Sequence, residues 1–328
     1  MATFRLRSNK WQARVQKKGF ESVTKSFINK ADAIKWARQI ESQIDKGSFT
    51  NTLSAERTTF KELIMRYLYE VTTKTKSNQE DGFRLRALAR KPIAQLNMLA
   101  LTPTRIAEYR DIRLQEVTAG TVIRELAYFS SIINHARKEW GIHIDNPIPL
   151  VRKPETPTSR TRTLSEDDEQ RLLEVMRPKT KRCNYWMIPI IKFALETAMR
   201  QGEILSLKWS DIDLTKRTAH LETTKNGDKR TVPLSTRAVQ ILQELPTSID
   251  GKVFQIQKAN LHKHFTNGCK RAEIKDLHFH DLRHTAITNM ASKFSNILEL
   301  SAVTGHRQLS MLKRYYHPRA EDLALKLG

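Results

Sequence analysis

The last third of the chain carries residue types that together could break and remake a phosphodiester bond. Arginines can hold phosphate oxygens, lysine and histidine can move protons, and a tyrosine hydroxyl can attack phosphorus and form a covalent intermediate. No acidic cluster suited to a metal accompanies them, so we expect neither a metal nor another cofactor. In the fragments ETAMRQGEIL, TTKNGDKRTVPL, HFHDLRHT and TGHRQLSMLKRYYH, the candidate catalytic residues are Arg200, Lys225, His280, Arg283, His306 and Tyr315.

The first arginine has a charged neighbour within reach. Arg200 ends a nearly apolar segment, and Glu203 follows it by one helical turn. An arginine at the end of a buried helix needs a partner or a ligand. We therefore expect Glu203 to support the site by fixing the guanidinium of Arg200, while the other edge of that group meets a phosphate.

The candidate lysine lies beside a turn signal. Asn226-Gly227 stands between two β-rich runs, which predicts a type I′ hairpin with Lys225 at its tip. A lysine with an ordinary pKa of about 10.4 can protonate an alkoxide leaving group at neutral pH. Lys229 and Arg230, on the returning strand, remain alternatives for this role.

Histidines cluster around the second arginine. His280 and Arg283 are three residues apart, so both should project from one side of a helix and grip one phosphate together. Four further histidines lie near them but lack a matched carboxylate pair or a cysteine, so metal binding is not expected. These histidines are His262, His264, His278 and His284.

The candidate nucleophile lies at the end of the same region. Gly305 predicts a helix C-cap before His306, and Tyr315 follows nine residues later in LSMLKRYYH, which we interpret as a short helix. A tyrosine of pKa about 10 must lose its proton as it attacks, so it needs a cationic phosphate site. The adjacent Tyr316 is a second candidate.

Composition favours a polyanionic partner. The 328 residues carry a net charge of +22, divided as +7 in residues 1–50, +5 in residues 51–157 and +10 in the remainder. A basic excess in every segment is expected if every domain contacts the same nucleic acid. Two distant cysteines, no signal peptide and no long apolar run predict a protein of a reduced cytosolic compartment, without a membrane segment.

Hydrophobic periodicity predicts an α+β, mostly helical chain with three domains. Residues 1–50 should form a three-stranded sheet over 4–27 backed by a helix over 31–45, and residues 47–58 a linker. Residues 56–150 should form a helical bundle, and residues 158–328 a mixed α/β catalytic domain with a C-terminal tail. The predicted bundle core includes Phe60, Leu63, Ile64, Tyr67, Leu68, Ile106, Tyr109, Ile112, Val122, Leu126, Phe129, Ile133 and Ala136.

Basic residues outside the catalytic region are candidate DNA contacts, although a charged run is often only a solvated face. The segment 150–163 is rich in proline and basic residues, and we interpret it as a linker that can follow a phosphate backbone. A β-sheet face can also enter a DNA groove. The candidates are Arg5, Arg7, Lys10, Arg14, Lys17 and Lys18 in the first domain, and Lys74, Lys76, Arg84 and Arg86 in the second.

Taken together, these motifs resemble the tyrosine recombinase, or phage integrase, family. The family pattern is Arg-x-x-Glu, a hairpin lysine, His-x-x-Arg, Gly-His and Tyr-x-His, and this chain has each in order. The nine-residue step from His306 and the Tyr-x-His frame both select Tyr315 over Tyr316. Thr304 replaces the usual leucine before Gly-His, which we interpret as a packing variation. LETAMRQGEIL, HFHDLRH and MLKRY also resemble plasmid shufflon recombinases, and the first domain resembles arm-type DNA-binding modules.

The resemblance implies a site-specific recombinase that integrates or excises a mobile element through a 3′-phosphotyrosyl link and a Holliday junction. Arg200, Arg283 and His306 would hold the phosphate, Lys225 would protonate the 5′ oxygen, and His280 could take the proton of Tyr315. Tetramers would assemble on paired recombination sites through residues 320–327, with accessory DNA-bending or directionality proteins as possible further partners. The resemblance also implies a cytoplasmic bacterial protein associated with the nucleoid. A shufflon-type invertase, a type IB topoisomerase and a non-catalytic DNA-binding regulator are alternatives.

Overall fold

The computed structural model divides the chain into two compact units, Met1–Thr158 and Ser159–Gly328. Lys76, Lys225 and most of the segment 320–327 lie outside the described residues, so their positions stay predictions. The three-domain division likewise stays a prediction. The structure describes residues 1–20, 22–47, 53–75, 78–142, 144–156, 158, 160–177, 184–222, 229–247, 249–294, 296–316, 324 and 327.

The first unit contains a small sheet followed by helices. Short 3₁₀ segments at Thr72–Lys74, Pro92–Gln95 and Ile148–Leu150 connect some of them. In chain order its elements are β1 (Ala2–Arg7), β2 (Lys10–Val15), β3 (Val23–Phe27), α1 (Lys30–Asp45), α2 (Leu53–Arg57), α3 (Phe60–Glu70), α4 (Asn78–Ala89), α5 (Pro103–Glu116) and α6 (Ala119–Glu139).

The N-terminal sheet is antiparallel, in the order β1-β2-β3. Alternation places Ala13 and Val15 on its inner face, where Val15 packs with Ala37 and Ile44 of α1. This agrees with the strand and helix patterns of the sequence. The expected polar linker over 47–58 is wrong in one respect, because Leu53–Arg57 forms the short helix α2, which buries Ala55 in the core of the bundle.

Helices α3 to α6 surround one apolar core. Phe60 and Phe129 meet edge to face with ring centroids 4.8 Å apart, and both are fully buried. The predicted apolar stripes supply most of this core. Ile112 is an exception, because it is 57% exposed on α5, so its place in the predicted core is wrong. The buried face of α5 includes Ile106 and Tyr109, and it does not extend to Ile112.

The second unit is built around two packed helices, with a 3-stranded sheet in the order β4-β5-β6. Its elements are α7 (Glu166–Met176), α8 (Met187–Thr197), α9 (Gln201–Ser206), β4 (Ile212–Asp213), β5 (Thr218–Leu221), β6 (Arg230–Pro233), α10 (Thr236–Gln243), α11 (Lys258–Arg271), α12 (Phe279–Ala291) and α13 (Ile297–Thr304). In the central pair, α8 contacts α7, α9, α10 and α11, while α12 contacts α13, which in turn packs against β6 of this sheet.

Two helix ends in this unit use left-handed backbone. Helix α8 ends at Ala198 with φ 51°, and α13 ends at Gly305 with φ 68°. Glycine adopts this conformation readily, which confirms the expected C-cap at Gly305. The interpretation of LSMLKRYYH as a short helix is only partly right, because a 3₁₀ turn at Leu309–Met311 gives way to turns before Tyr315.

The segment before α7 is bound to α12 of its own unit. Arg160 donates to both carboxylate oxygens of Asp281, at 2.8 and 2.9 Å, and to Asp276. Arg162 pairs with Asp168 at 3.0 Å. The expectation that 150–163 follows a phosphate backbone is therefore corrected for these two arginines, whose hydrogen bonds go to protein carboxylates.

Among the described helices, none is long and apolar enough to span a membrane.

Candidate active site

Arg200 lies at the start of α9, directly after the left-handed end of α8. Its backbone N–H donates to Glu203 Oε2 at 2.8 Å, and its guanidinium donates to Oε1 at 2.9 Å. A longer contact of 3.4 Å runs from the guanidinium to the carbonyl of Gly305. Glu203 therefore fixes the side chain of Arg200, as the sequence predicted. The contact of Arg200 with the Gly305 carbonyl joins the start of α9 to the end of α13.

Glu203 also binds a second arginine. Arg230, at the start of β6, donates to both carboxylate oxygens of Glu203 at 2.9 and 2.8 Å. Glu203 is only 5% exposed; burial alone would raise its pKa, but the hydrogen bonds from Arg230 and Arg200 outweigh burial and lower it. One carboxylate thus holds two guanidinium groups in fixed positions.

Arg283 is the most enclosed cation of the site. It is 4% exposed, and its guanidinium donates to the carbonyl of Ala198 and, at 2.7 Å, to that of Thr304. These carbonyls are at the ends of α8 and α13, where no further helical N–H can bind them. Burial, and then the charge of Arg200, lower the pKa of Arg283 to about 9, so the group is still cationic at neutral pH.

His306 follows the left-handed Gly305 and faces a buried hydroxyl. Its Nδ1 lies 2.8 Å from Thr304 Oγ1, and that hydroxyl donates its own hydrogen to the Leu300 carbonyl at 2.7 Å. The hydroxyl must therefore accept from His306, which fixes the proton of the ring on Nδ1. Burial and the charges of Arg283 and Arg200 lower the pKa of His306 to about 4.

Tyr315 directs its hydroxyl toward α12. Its Oη is hydrogen-bonded to Nδ1 of His284, and the two rings stack with centroids 5.9 Å apart and planes at 23°. The guanidinium of Arg314 lies 4.9 Å from the centre of the Tyr315 ring. Burial raises the pKa of Tyr315, while the charges of Arg314 and Arg283 oppose that rise. The phenol is therefore within electrostatic reach of the arginine cluster.

His280 is exposed on the same helix, α12. Its ring centroid lies 5.2 Å from that of His284, with the planes nearly perpendicular. His280 and Arg283 both belong to α12, as expected, but Arg283 is buried whereas His280 is exposed, so their joint grip on one phosphate stays a prediction. The partner of the tyrosine hydroxyl is His284, which the sequence analysis considered only as a metal ligand.

The structure therefore brings five of the six predicted residues into one unit. Arg200, Arg283 and His306 meet through the helix ends at Ala198 and Gly305, while Tyr315 and His280 lie beside His284. The sixth residue, Lys225, lies outside the described residues. Strands β5 and β6 pair with Leu221 opposite Arg230, as strands flanking a hairpin would.

Three contributors were missed or underrated from the sequence. His284 follows Arg283 directly, so its position one helical turn after His280 was a visible signal. Arg230 was weighed only as a rival to the lysine, although it binds Glu203. Thr304 was interpreted as a packing variation, yet its hydroxyl contacts His306; nothing in the sequence indicates that contact.

This arrangement is suited to bind and polarise an anionic group. Arg200 and Arg230 bind Glu203, whereas Arg283 donates to backbone carbonyls, so two positive charges are in excess among these four side chains. Such charges act strongly in a partly buried site. No group of three or more His, Cys, Asp or Glu side chains that could hold a metal occurs in the described part of the chain.

Comparison with known proteins gives a consistent result. The model of the phage integrase family matches residues 162–322. The chain is 44% identical over 271 residues to the shufflon-specific DNA recombinase of Escherichia coli, a match that covers 80% of this chain and 70% of that protein. It is also 26% identical over 217 residues to the integrase of Salmonella phage P22, covering 60% of this chain and 54% of that integrase.

Solved structures share the fold. A lambda integrase dimer bound to a COC′ core site matches with a TM-score of 0.67 at 19% identity, covering 97% of this chain and 95% of that one. The Tn1549 transposon integrase in complex with circular intermediate DNA matches with a TM-score of 0.64 at 18% identity, covering 83% and 99%. These matches confirm the α+β, mostly helical fold.

Proposed function

Since this chain belongs to the phage integrase family of tyrosine recombinases, we propose that it is a site-specific recombinase that cuts and rejoins DNA through Tyr315. One observation carries the assignment of residues. The hydroxyl of Tyr315 lies within electrostatic reach of Arg314 and Arg283, and Arg283 in turn lies within reach of the charges of Arg200 and Arg230. A phosphodiester that meets this cluster would have its negative charge offset as the phenol attacks.

The phosphate would be held by Arg200, Arg283 and His306. Arg200 keeps one edge on Glu203 and can offer the rest of its guanidinium to a non-bridging oxygen. Arg283 supplies a buried positive charge from α12. His306 has its Nδ1 proton committed to Thr304, so it must gain a proton on Nε2 to donate to phosphate. The negative charge of the phosphate favours that protonation.

The chemistry exchanges one phosphate ester for another. The Tyr315 oxygen would form a 3′-phosphotyrosyl bond while the 5′ oxygen leaves with a proton from Lys225, and a partner 5′ hydroxyl would reverse the step. His280 would serve as an acid/base group on α12. The two esters are of similar energy, so neither ATP nor a metal is required. Removal of one positioned charge should slow cleavage by about 10²–10³, by analogy with single oxyanion donors.

The N-terminal sheet offers a surface for DNA. Cross-strand pairs set Arg5 opposite Gln12 and Arg7 opposite Lys10, so these side chains share one face with Arg14. The other face packs on α1. A polar, basic sheet face can enter a groove of the duplex. Lys17 contributes less to this surface because its ammonium pairs with Asp45. Lys18 is exposed in the turn after β2.

The bundle offers weaker candidates. Lys74 is exposed in the 3₁₀ turn after α3, and Arg86 is exposed on α4. Arg84, on the same helix, pairs with Asp81 at 3.1 Å. As at Lys17, the neighbouring carboxylate offsets part of this charge, so Arg84 should contribute less than Lys74 and Arg86. We propose that these residues, with Lys76, contribute non-specific contacts to the phosphate backbone of the DNA.

Strand exchange needs two duplexes and several copies of the chain. One solved relative in fold is a lambda integrase tetramer bound to a Holliday junction, with a TM-score of 0.67 over 97% of this chain. We propose that this chain also acts as a tetramer on paired recombination sites, through residues 320–327, with accessory proteins possible on the same DNA. The E. coli relative favours one second candidate, which is DNA inversion of the shufflon type.

A nicked suicide duplex tests the core of this proposal. The nick lets the cleaved 5′ fragment diffuse away, so the covalent protein–DNA adduct accumulates. Duplexes tiled across the DNA on either side of the gene for this chain would supply the site. We expect an adduct with the natural chain and with Tyr316→Phe, and none with Tyr315→Phe. Absence of an adduct with the natural chain would contradict the proposed enzymatic activity. Loss of the adduct only in Tyr316→Phe would assign the nucleophile to Tyr316.

The products distinguish the reactions. A plasmid with two inverted copies of the mapped site should give Holliday junctions and inverted products, whereas sites on two molecules should give fusions. Relaxed plasmid without junctions would indicate a topoisomerase. Binding without any covalent product would indicate a regulator.

A further inference from the structure

The hydroxyl that would attack phosphorus already has a hydrogen-bond partner. His284, on α12, places its Nδ1 against Tyr315 Oη, and the rings stack at 23°. His284 is only 8% exposed, so water is largely excluded from this contact. The His-x-x-Arg motif ends one residue earlier, at Arg283, and assigns His284 no role.

We propose that His284 is a further catalytic residue, the base that accepts the proton of Tyr315 as its oxygen attacks. The proposal rests on the recombinase function proposed above. The Oη–H bond breaks and the proton passes to Nδ1, while the Oη–P bond forms. The P–O5′ bond breaks with its electron pair on the 5′ oxygen, which takes a proton from the general acid. During rejoining, His284 returns the proton to Oη as the tyrosine leaves.

Geometry selects His284 over His280. A general base must lie within hydrogen-bond reach of the proton that it removes. His284 Nδ1 meets this condition, because it is the ring nitrogen that the structure places against Tyr315 Oη. His280 is exposed and its ring lies 5.2 Å from that of His284, so it is placed to exchange the proton between His284 and water.

The charge state of His284 suits an acceptor. Burial lowers its pKa to about 4, with smaller contributions from His280, Arg314 and Arg283, while Asp281 opposes them. The ring is therefore neutral at pH 7, and with its hydrogen on Nε2 it presents a lone pair at Nδ1. A bound phosphodiester adds negative charge beside Arg283 and Arg314. This negative charge should raise the pKa of His284 in the DNA complex, where the ring has to accept the proton of Tyr315.

The experiment measures single-turnover adduct formation on the suicide duplexes already described, with the protein in saturating excess. His284→Asn places an amide near the position of Nδ1, so it keeps a hydrogen-bonding group that cannot take a proton. His262→Asn, at an exposed position of α11, is the matched control. A second series carries 3,5-difluorotyrosine at position 315, whose phenol loses its proton more easily.

We expect His284→Asn to lower the cleavage rate by about 10²–10⁴, the usual contribution of general acid–base catalysis. DNA affinity and the thermal midpoint should stay close to those of His262→Asn. Difluorotyrosine should accelerate His284→Asn more than it accelerates the chain with His284 intact, because a more acidic phenol needs less help from a base. A residue that only packs against the ring would show equal effects of fluorination.

Two results would overturn the proposal. One is a cleavage rate in His284→Asn within a few-fold of the control, and the other is a loss that fluorination leaves unchanged. His284→Gln would replace the asparagine variant if that variant does not fold. Absence of any adduct with His284 intact would instead remove the proposed function, and this inference with it, so the two failures are distinguishable.

Discussion

Single residues in this site act mainly by holding other residues. Glu203 binds Arg200 and Arg230, so the two guanidinium groups are held close together in fixed orientations. Thr304 does the same for a ring, because its hydroxyl accepts from His306 Nδ1 and donates to the Leu300 carbonyl. A side chain whose proton position is fixed beforehand loses less conformational freedom when it binds phosphate.

Replacement of Thr304 by valine tests this role at constant size. Thr304→Val removes the acceptor of His306 Nδ1–H, so the ring can turn, and we expect cleavage to slow roughly 3- to 10-fold, the value of one hydrogen bond. Thr304→Ser should restore most of the rate in the suicide-duplex assay. Equal rates for the threonine, valine and serine forms would show that this position serves packing alone.

At the scale of elements, α12 is the helix on which the site depends. It carries His280, Arg283 and His284, and its first turn is held by Asp281, which is 1% exposed. Asp281 accepts from the backbone N–H of His278 at 2.7 Å and from Arg160 at 2.8 and 2.9 Å. Leu164 N–H also donates to Thr285 at 2.8 Å, so the segment before α7 is bound along this helix.

Loss of Arg160 should therefore loosen the site from a distance. Arg160→Ala leaves the buried Asp281 with fewer donors, and we expect the free energy of unfolding to fall by about 1–3 kcal/mol, with slower cleavage. Chemical denaturation and the adduct assay measure the two effects. Arg162→Ala, which removes one of the two arginines that pair with Asp168 on α7, is the control and should leave the cleavage rate near that of the natural chain.

The effect of Arg160 should depend on pH in a defined direction. Burial alone would raise the pKa of Asp281, but hydrogen bonds from Arg160 and the His278 backbone outweigh burial and lower it. The contribution to stability is thus complete above the unfolded pKa of about 3.9 and is lost as pH falls through the lower folded value. The natural chain and Arg160→Ala should differ most near neutral pH and converge in acid. A difference that grows in acid would contradict this account.

At the scale of the whole molecule, the excess of positive charge is divided between the two units. Residues 1–50 carry +7 and the chain +22, so no single segment dominates. Binding to DNA should release counterions at several surfaces, and affinity should fall steeply with salt. The sheet face that bears Arg5 and Arg7 is one such surface.

Salt titration can isolate the contribution of that sheet. The double variant Arg5→Ala with Arg7→Ala should reduce the slope of log K against log salt by roughly 0.9 for each phosphate contact that is lost. Lys17→Ala is the control, because the ammonium of Lys17 is already paired with Asp45 and its loss should change the slope less. Fluorescence anisotropy with a labelled duplex gives both slopes. Equal slopes for the double variant and the natural chain would exclude the sheet face as a DNA contact.

The sequence by itself determined the family and the helical character of most segments, and it named the arginines, histidines and tyrosine that are candidates for the site, because these depend on residue type and local spacing. Apolar periodicity placed α1, expected over 31–45, within one residue of its observed bounds. It also determined the pairing of Arg200 with Glu203, since residues one turn apart on a helix are neighbours in any fold.

Only the tertiary structure decided which distant groups meet. His284 lies 31 residues from Tyr315, Arg230 lies 27 residues from Glu203, and Arg160 lies 121 residues from Asp281. Contacts at such separations follow from how helix ends and strands pack, and no local pattern encodes them. The hydrogen-bond partner of the tyrosine hydroxyl is thus set by the packing of the turn after α13 against α12, whereas its candidacy as nucleophile was already readable along the chain.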